Sequence, residues 1–140
     1  MNNNSIFEEL LERRLRQGDN GQQRHGAFAI RTDKRQKQIF GYNQIRGNGK
    51  TIHAELSALG KCKKGTYDIY VGRLNGRCSC PCQNCMDRMT KLKKRGIYIR
   101  NIIYTDGIDE DGSLKLTEWK FKELYLIKDT LQISKAYRRC

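Results

Sequence analysis

Apolar and polar positions along the 140-residue chain recur with two periods. Near the start, Ile6, Phe7, Leu10, Leu11 and Leu15 lie three or four apart and define one face of a helix. Ser5 stands before them as an N-cap with Glu8 three residues on, a capping box, and the glycines from Gly18 to Gly21 end the element. Two short strands follow, roughly Gly26 to Thr32 and Gln38 to Ile45, joined by the polar turn Asp33 to Arg35. The glycine-bearing loop Arg46 to Lys50 leads to Thr51, a suitable cap for a helix through His53 to Leu59. Either Gly60 or Gly65 ends that helix. Thr66 to Leu74 alternates around Tyr67, Ile69 and Val71 and predicts a third strand.

Pro81, the only proline, suits the first turn of another helix. Beyond it Cys82, Cys85, Met86, Met89 and Leu92 share a face, with Arg88, Lys91, Lys94 and Arg95 opposite, and Gly96 is a natural stop. Arg100 to Thr105 predicts a central fourth strand, Asp106 to Gly112 is turn chemistry, and Ser113 to Leu124 predicts a fifth strand. The order helix-β-β-α-β-α-β-β implies an α/β fold, a sheet covered by helices.

Length bounds this to a single domain spanning residues 1–140, its core at about 22–126. No apolar run approaches the roughly 18 residues of a membrane helix. Met1 to Ser5 carries neither the basic nor the apolar part of a signal peptide, so the expectation is an intracellular protein, cytoplasmic or nuclear and not secreted. Lys and Arg number 28 against 15 Asp and Glu, a net charge of +13, which favours a polyanion or a phosphorylated ligand and disfavours a basic one.

Six cysteines would suit a disulfide scaffold, but four of them, Cys78, Cys80, Cys82 and Cys85, crowd into eight positions. In an intracellular chain such clustering reads as metal ligation. Cys82 and Cys85, three apart on a first helical turn, point the same way, and the positive end of the helix favours their thiolates. His53 completes a His/Cys/Cys set that leaves a fourth zinc vertex open to water, as a catalytic zinc requires. Glu55, two residues from that ligand, reaches the water without binding the metal. Zinc lowers the pKa of bound water toward ~7, and the carboxylate completes its deprotonation.

His53-Ala54-Glu55 followed by Pro81-Cys82-Gln83-Asn84-Cys85 is the H-x-E and P-C-x-x-C pattern of zinc nucleobase deaminases. The chain resembles the cytidine deaminase superfamily over roughly Gly26 to Leu124. The resemblance implies a three-layer α/β/α fold with a mixed five-stranded sheet, and one Zn2+ held by His53, Cys82 and Cys85. It implies that Glu55 moves a proton from the water to the ring nitrogen and later to the departing ammonia. Asn43, in Gly41-Tyr42-Asn43, matches the asparagine that holds the sugar in nucleotide and tRNA members. Ala54, Pro81 and the backbone of Ser79 and Cys80 would help position the base.

Members acting on tRNA adenosine or on polynucleotides usually insert a helix before a parallel fifth strand. Only Asp106 to Gly112 intervenes here, which suits an antiparallel fourth and fifth strand, like the free cytidine deaminase branch. That branch usually has Cys where this chain has His53, and His-Ala-Glu with Gly-Tyr-Asn is closer to the deoxycytidylate and tRNA groups. The expected activity is hydrolytic deamination of a cytosine-containing nucleoside or nucleotide to the uracil form. Two alternatives stand beside it: a cytosine deaminase of single-stranded DNA or RNA, and a non-catalytic zinc module that binds nucleic acid. Related enzymes often form dimers or tetramers, which leaves a homo-oligomer open; no membrane partner is expected.

Other residues have plainer readings. His25, before a strand, reads as structural, and Asn43 could simply end one. A Cys₄ structural zinc from Cys78, Cys80, Cys82 and Cys85 would be cramped and would leave His53-Ala54-Glu55 without a purpose. Cys62 and Cys140 read as free thiols. The segment from Ile127 to Cys140, with Leu131 and Ile133, reads as a short helix or a docking tail.

Overall fold

A computed structural model describes residues 7–13, 25–45, 51–73, 78–127 and 131. The Ser5 cap, the glycine stop at 18–21, the 46–50 loop, Ile133 and Cys140 lie outside them. Residues 7–13 are helical (α1). Then come β1 (His25–Arg31), β2 (Ile39–Tyr42), β3 (Gln44–Ile45), β4 (Thr51–Ile52), α2 (Ala54–Leu59), β5 (Gly65–Arg73) and α3 (Gln83–Lys91). A 3₁₀ turn (Leu92–Arg95), β6 (Ile97–Ile108), β7 (Leu114–Lys120) and α4 (Phe121–Leu126) complete the described elements.

The main sheet runs β2-β1-β5-β6-β7. β5 and β6 are parallel and every other neighbouring pair is antiparallel, β6 and β7 included. The sheet is therefore mixed and five-stranded, with the last two strands antiparallel; β6 runs on to Ile108, so the reversal is shorter than the Asp106 to Gly112 turn expected from the sequence. The parallel step between β5 and β6 needs a crossover, and α3 supplies it.

Side-chain alternation divides the molecule into layers. On β1, Phe28 joins Phe7, Leu11, Phe40 and Leu114 in one cluster, beneath α1. Ala27 and Ala29 face the other way, joining Ala54, Ala58, Leu59, Tyr67, Ile69, Val71, Cys85, Met86, Met89 and Ile102 beneath α2 and α3. Successive residues of a strand point to opposite faces, so these are two cores on two sides of one sheet. Burying a large apolar side chain such as Ile69 or Met86 contributes roughly 1.5–3 kcal/mol.

Small residues set how closely α2 approaches. A Cβ on Gly41 would fall 2.6 Å from the Ala54 carbonyl oxygen and 2.9 Å from the Ala58 Cα. Glycine at position 41 thus allows β2 and α2 to touch backbone to backbone. Gly96 closes the 3₁₀ turn in the left-handed region, φ 80°. Among the described residues no helix is long and apolar enough to cross a membrane.

Several boundaries differ from the sequence reading. Thr51 does not cap α2: Thr51 and Ile52 pair with Ile45 and Gln44, and His53 takes the cap position, its carbonyl accepting the Ser57 amide at 2.9 Å. Of the two glycines offered as the end of α2, Gly60 is its C-cap, with right-handed φ, and Gly65 opens β5. The second strand breaks at Asn43. α3 starts at Gln83 with Cys82 as its cap, so Pro81 lies just outside the first turn. The fifth strand stops at Lys120, because Phe121 and Leu124, three apart, bury together from a helix.

Candidate active site

Both chemistry-bearing motifs sit where a chain segment turns into a helix. His53 is the residue before α2, Cys82 the residue before α3, and Cys85 the third residue of α3. Both caps have extended backbone, His53 at φ −71°, ψ 154° and Cys82 at φ −72°, ψ 165°, which turns their side chains off the helix axes. His53 Nδ1 lies 2.9 Å from Cys85 Sγ and 3.9 Å from Cys82 Sγ. The three ligand atoms all fall within 4.8 Å of one another. Tetrahedral zinc with bonds of ~2.0–2.3 Å places such ligand atoms roughly 3.5–3.8 Å apart, so the set fits one Zn2+.

Electrostatics at these atoms lead to the same ion. The Cys82 thiol is pulled down to about 4, first by the hydrogen bond from Cys85 and then by His53. Cys85 is held protonated by that same bond and by burial. His53 is raised, chiefly by its contact with Cys82. The triad by itself thus supports one thiolate, and a dication held by the three would supply the charge that ionises the second.

Glu55 follows on the first turn of α2 and is buried, 1% exposed. Oε1 lies 3.7 Å from His53 Nδ1, while Oε2 is buried without a hydrogen-bond partner among the described residues. Burial raises its pKa, against the lowering effects of Cys85 and His53. A carboxyl oxygen left unpaired in the interior costs stability.

The remaining predicted contacts are placed by hydrogen bonds. Asn43 Oδ1 accepts the Ala54 amide at 2.8 Å, tying the break after β2 to the start of α2. Ala54 is fully buried and its N–H is committed to that bond. The Ser79 hydroxyl donates to the Val71 carbonyl at 2.8 Å, meets Thr105 Oγ1 at 2.6 Å and accepts the Thr105 amide at 3.1 Å. Its side chain therefore pins the metal loop to β5 and β6, and its own amide donates to the Thr105 carbonyl at 3.0 Å. Pro81 is buried beside the Cys82 cap.

Cys78 is exposed and Cys80 half-buried, and among the described residues neither joins the three-ligand group. Burial pushes the Cys80 thiol up to about 11, so it stays protonated beside the metal loop. Cys62 is a core thiol, also raised to about 11 by burial, donating to the Ala58 carbonyl.

His25 reads from the sequence as structural, and the structure shows its surroundings. It opens β1 directly opposite Arg73 of β5, and both ring nitrogens are buried without partners among the described residues. Burial, then Arg73 and His53, push its pKa down to about 3, opposed by Asn43. The available signal was parity: His25 shares its strand face with Ala27 and Ala29, the face toward α2.

A family model described as the cytidine and deoxycytidylate deaminase zinc-binding region matches residues 1–101. A comparison with curated proteins gives no significant match. The cytidine deaminase from Burkholderia pseudomallei is similar in structure, with a TM-score of 0.56 at 19% identity, covering 89% of this chain and 96% of that one. A variant of the cytidine deaminase from Mycobacterium tuberculosis gives 0.45 at 20% identity, over 75% of this chain and 78% of that one. The first of these likenesses establishes the fold.

Proposed function

The chain belongs to the cytidine and deoxycytidylate deaminase zinc-binding family, and we propose that it hydrolyses the amino group of a cytosine-containing nucleoside or nucleotide, giving the uracil form and ammonia. The observation that carries this reading is Glu55, a buried carboxyl group with one unbonded oxygen beside the His53, Cys82 and Cys85 triad. Zinc held by these three residues would supply a Lewis acid that activates the attacking water.

The other steps fall to the chain's own groups. Glu55 takes a proton from the attacking water and delivers it to ring N3 as the oxygen–C4 bond forms. The same carboxylate then takes the remaining proton from the new C4 hydroxyl and passes it to the amino nitrogen, so that the C4=O bond forms as the C4–N bond breaks and ammonia leaves. A carboxyl group whose pKa is raised by burial is suited to both directions of transfer. Asn43, with its oxygen bound to Ala54, presents its NH₂ group to the sugar, while Ala54, Pro81 and the Ser79 backbone shape the base pocket. Burial around Glu55 keeps bulk water from competing for the proton.

One observation favours a second substrate. Arg88, Lys91, Lys94 and Arg95 are exposed along α3 and the turn after it, a basic strip that suits a single-stranded nucleic-acid backbone. A non-catalytic zinc module is disfavoured, because it would bury the Glu55 carboxyl group for no return. Ammonia release from cytidine, CMP, dCMP, adenosine and single-stranded DNA tests the proposal. Release from the cytosine monomers supports it, uracil appearing only in the DNA supports the second substrate, and no release from any cytosine compound refutes both.

A further inference from the structure

Beyond the metal triad lies a second polar group of side chains. His25 and Arg73 are direct partners across β1 and β5, continuing the rows of Ala27 and Val71 on the face toward α2. Both nitrogens of His25 and the Nε of Arg73 are buried without hydrogen-bond partners among the described residues. The Arg73 backbone is pinned, its amide donating to Thr105 Oγ1 at 3.2 Å in the same network that holds Ser79. Three buried polar atoms left unpaired on two facing residues weaken the fold unless something else bonds them.

Their chemistry says what that is. The groups that act on His25 are Arg73, His53 and Asn43, with no carboxylate among them. Asn43 Oδ1 accepts the Ala54 amide, which leaves its NH₂ group as a donor. A guanidinium, an amide NH₂ and an imidazole together form a donor-rich, positively charged seat. Such a seat suits an oxyanion with several acceptor oxygens better than a neutral hydroxyl, and a guanidinium fork matches a phosphate in particular. We propose that His25 and Arg73 hold the phosphate of the substrate, and so determine specificity for nucleoside monophosphates over nucleosides. This rests on the deaminase reading, since Asn43 links the seat to the sugar side of the base pocket.

Calorimetric titration of the zinc-loaded protein with UMP and with uridine, the product pair, reads binding without turnover. UMP is expected to bind at least tenfold more tightly, with the advantage shrinking as salt rises. Arg73→Met should lower the UMP-to-uridine affinity ratio tenfold or more, and His25→Phe threefold or more. Arg73→Lys, the milder variant if Arg73→Met fails to fold, keeps the charge without the fork and should lower the ratio about threefold. Equal binding of UMP and uridine by the wild-type protein, or an advantage that survives every variant that folds, would overturn the proposal. Ammonia release without nucleotide preference removes this inference alone, whereas nucleotide preference without ammonia release removes the deaminase reading alone.

Discussion

His53 Nδ1 and Cys85 Sγ stand 2.9 Å apart although 32 positions separate them in the chain. The first prediction follows from that meeting point. His53→Ala, Cys82→Ser and Cys85→Ser should each lose the zinc, while Cys78→Ser and Cys80→Ser should keep about one per chain, measured by elemental analysis. Chelation of the wild-type protein should lower its melting temperature by roughly 10 °C, the size expected when a ligand at ~100 times its dissociation constant is removed.

Glu55→Gln separates the metal site from its chemistry. The variant should keep its zinc and lose about 10²- to 10⁴-fold in ammonia release. Because the wild-type carboxyl group is buried with an unbonded oxygen, the amide should melt no lower than the wild type. Full zinc with full turnover would remove Glu55 from the mechanism.

Asn43 links β2 to α2 through a single bond to Ala54. Asn43→Ala leaves that amide unpaired and should cost about 1–2 kcal/mol in urea denaturation, with a higher KM for any active substrate. Asn43→Asp retains an acceptor and should recover most of the stability.

Gly41→Ala drives a methyl group into the α2 backbone at Ala54 and Ala58. Overpacking of this kind costs about 1–3 kcal/mol. Since α2 carries His53 at its start, zinc affinity should fall along with stability, whereas Gly112→Ala, where a Cβ meets nothing within 4 Å, should leave zinc binding unchanged.

Much of this fold was legible because its period is plain. Ala27, Tyr67, Ile69 and Val71 alternate as buried strands should, and the Asp106 to Gly112 turn is too short for anything but a reversal. The sequence was misleading where one spacing serves two structures. Phe121 and Leu124 read as the end of a strand or as one face of a helix, and packing against the main core chose the helix. Thr51 has the chemistry of a cap, yet pairing with Ile45 claimed it for a strand. The three metal ligands and Glu55 were readable as motifs. The pairing of His25 with Arg73, 48 residues away, was not readable, because it depends on a strand register that no local pattern contains.

The Ser79 hydroxyl joins Val71 on one central strand to Thr105 on its parallel neighbour. The loop that delivers both sulfurs is in this way tied to the seam between β5 and β6. Release of the ion then requires the seam itself to open, so metal escape and global unfolding should run on one clock.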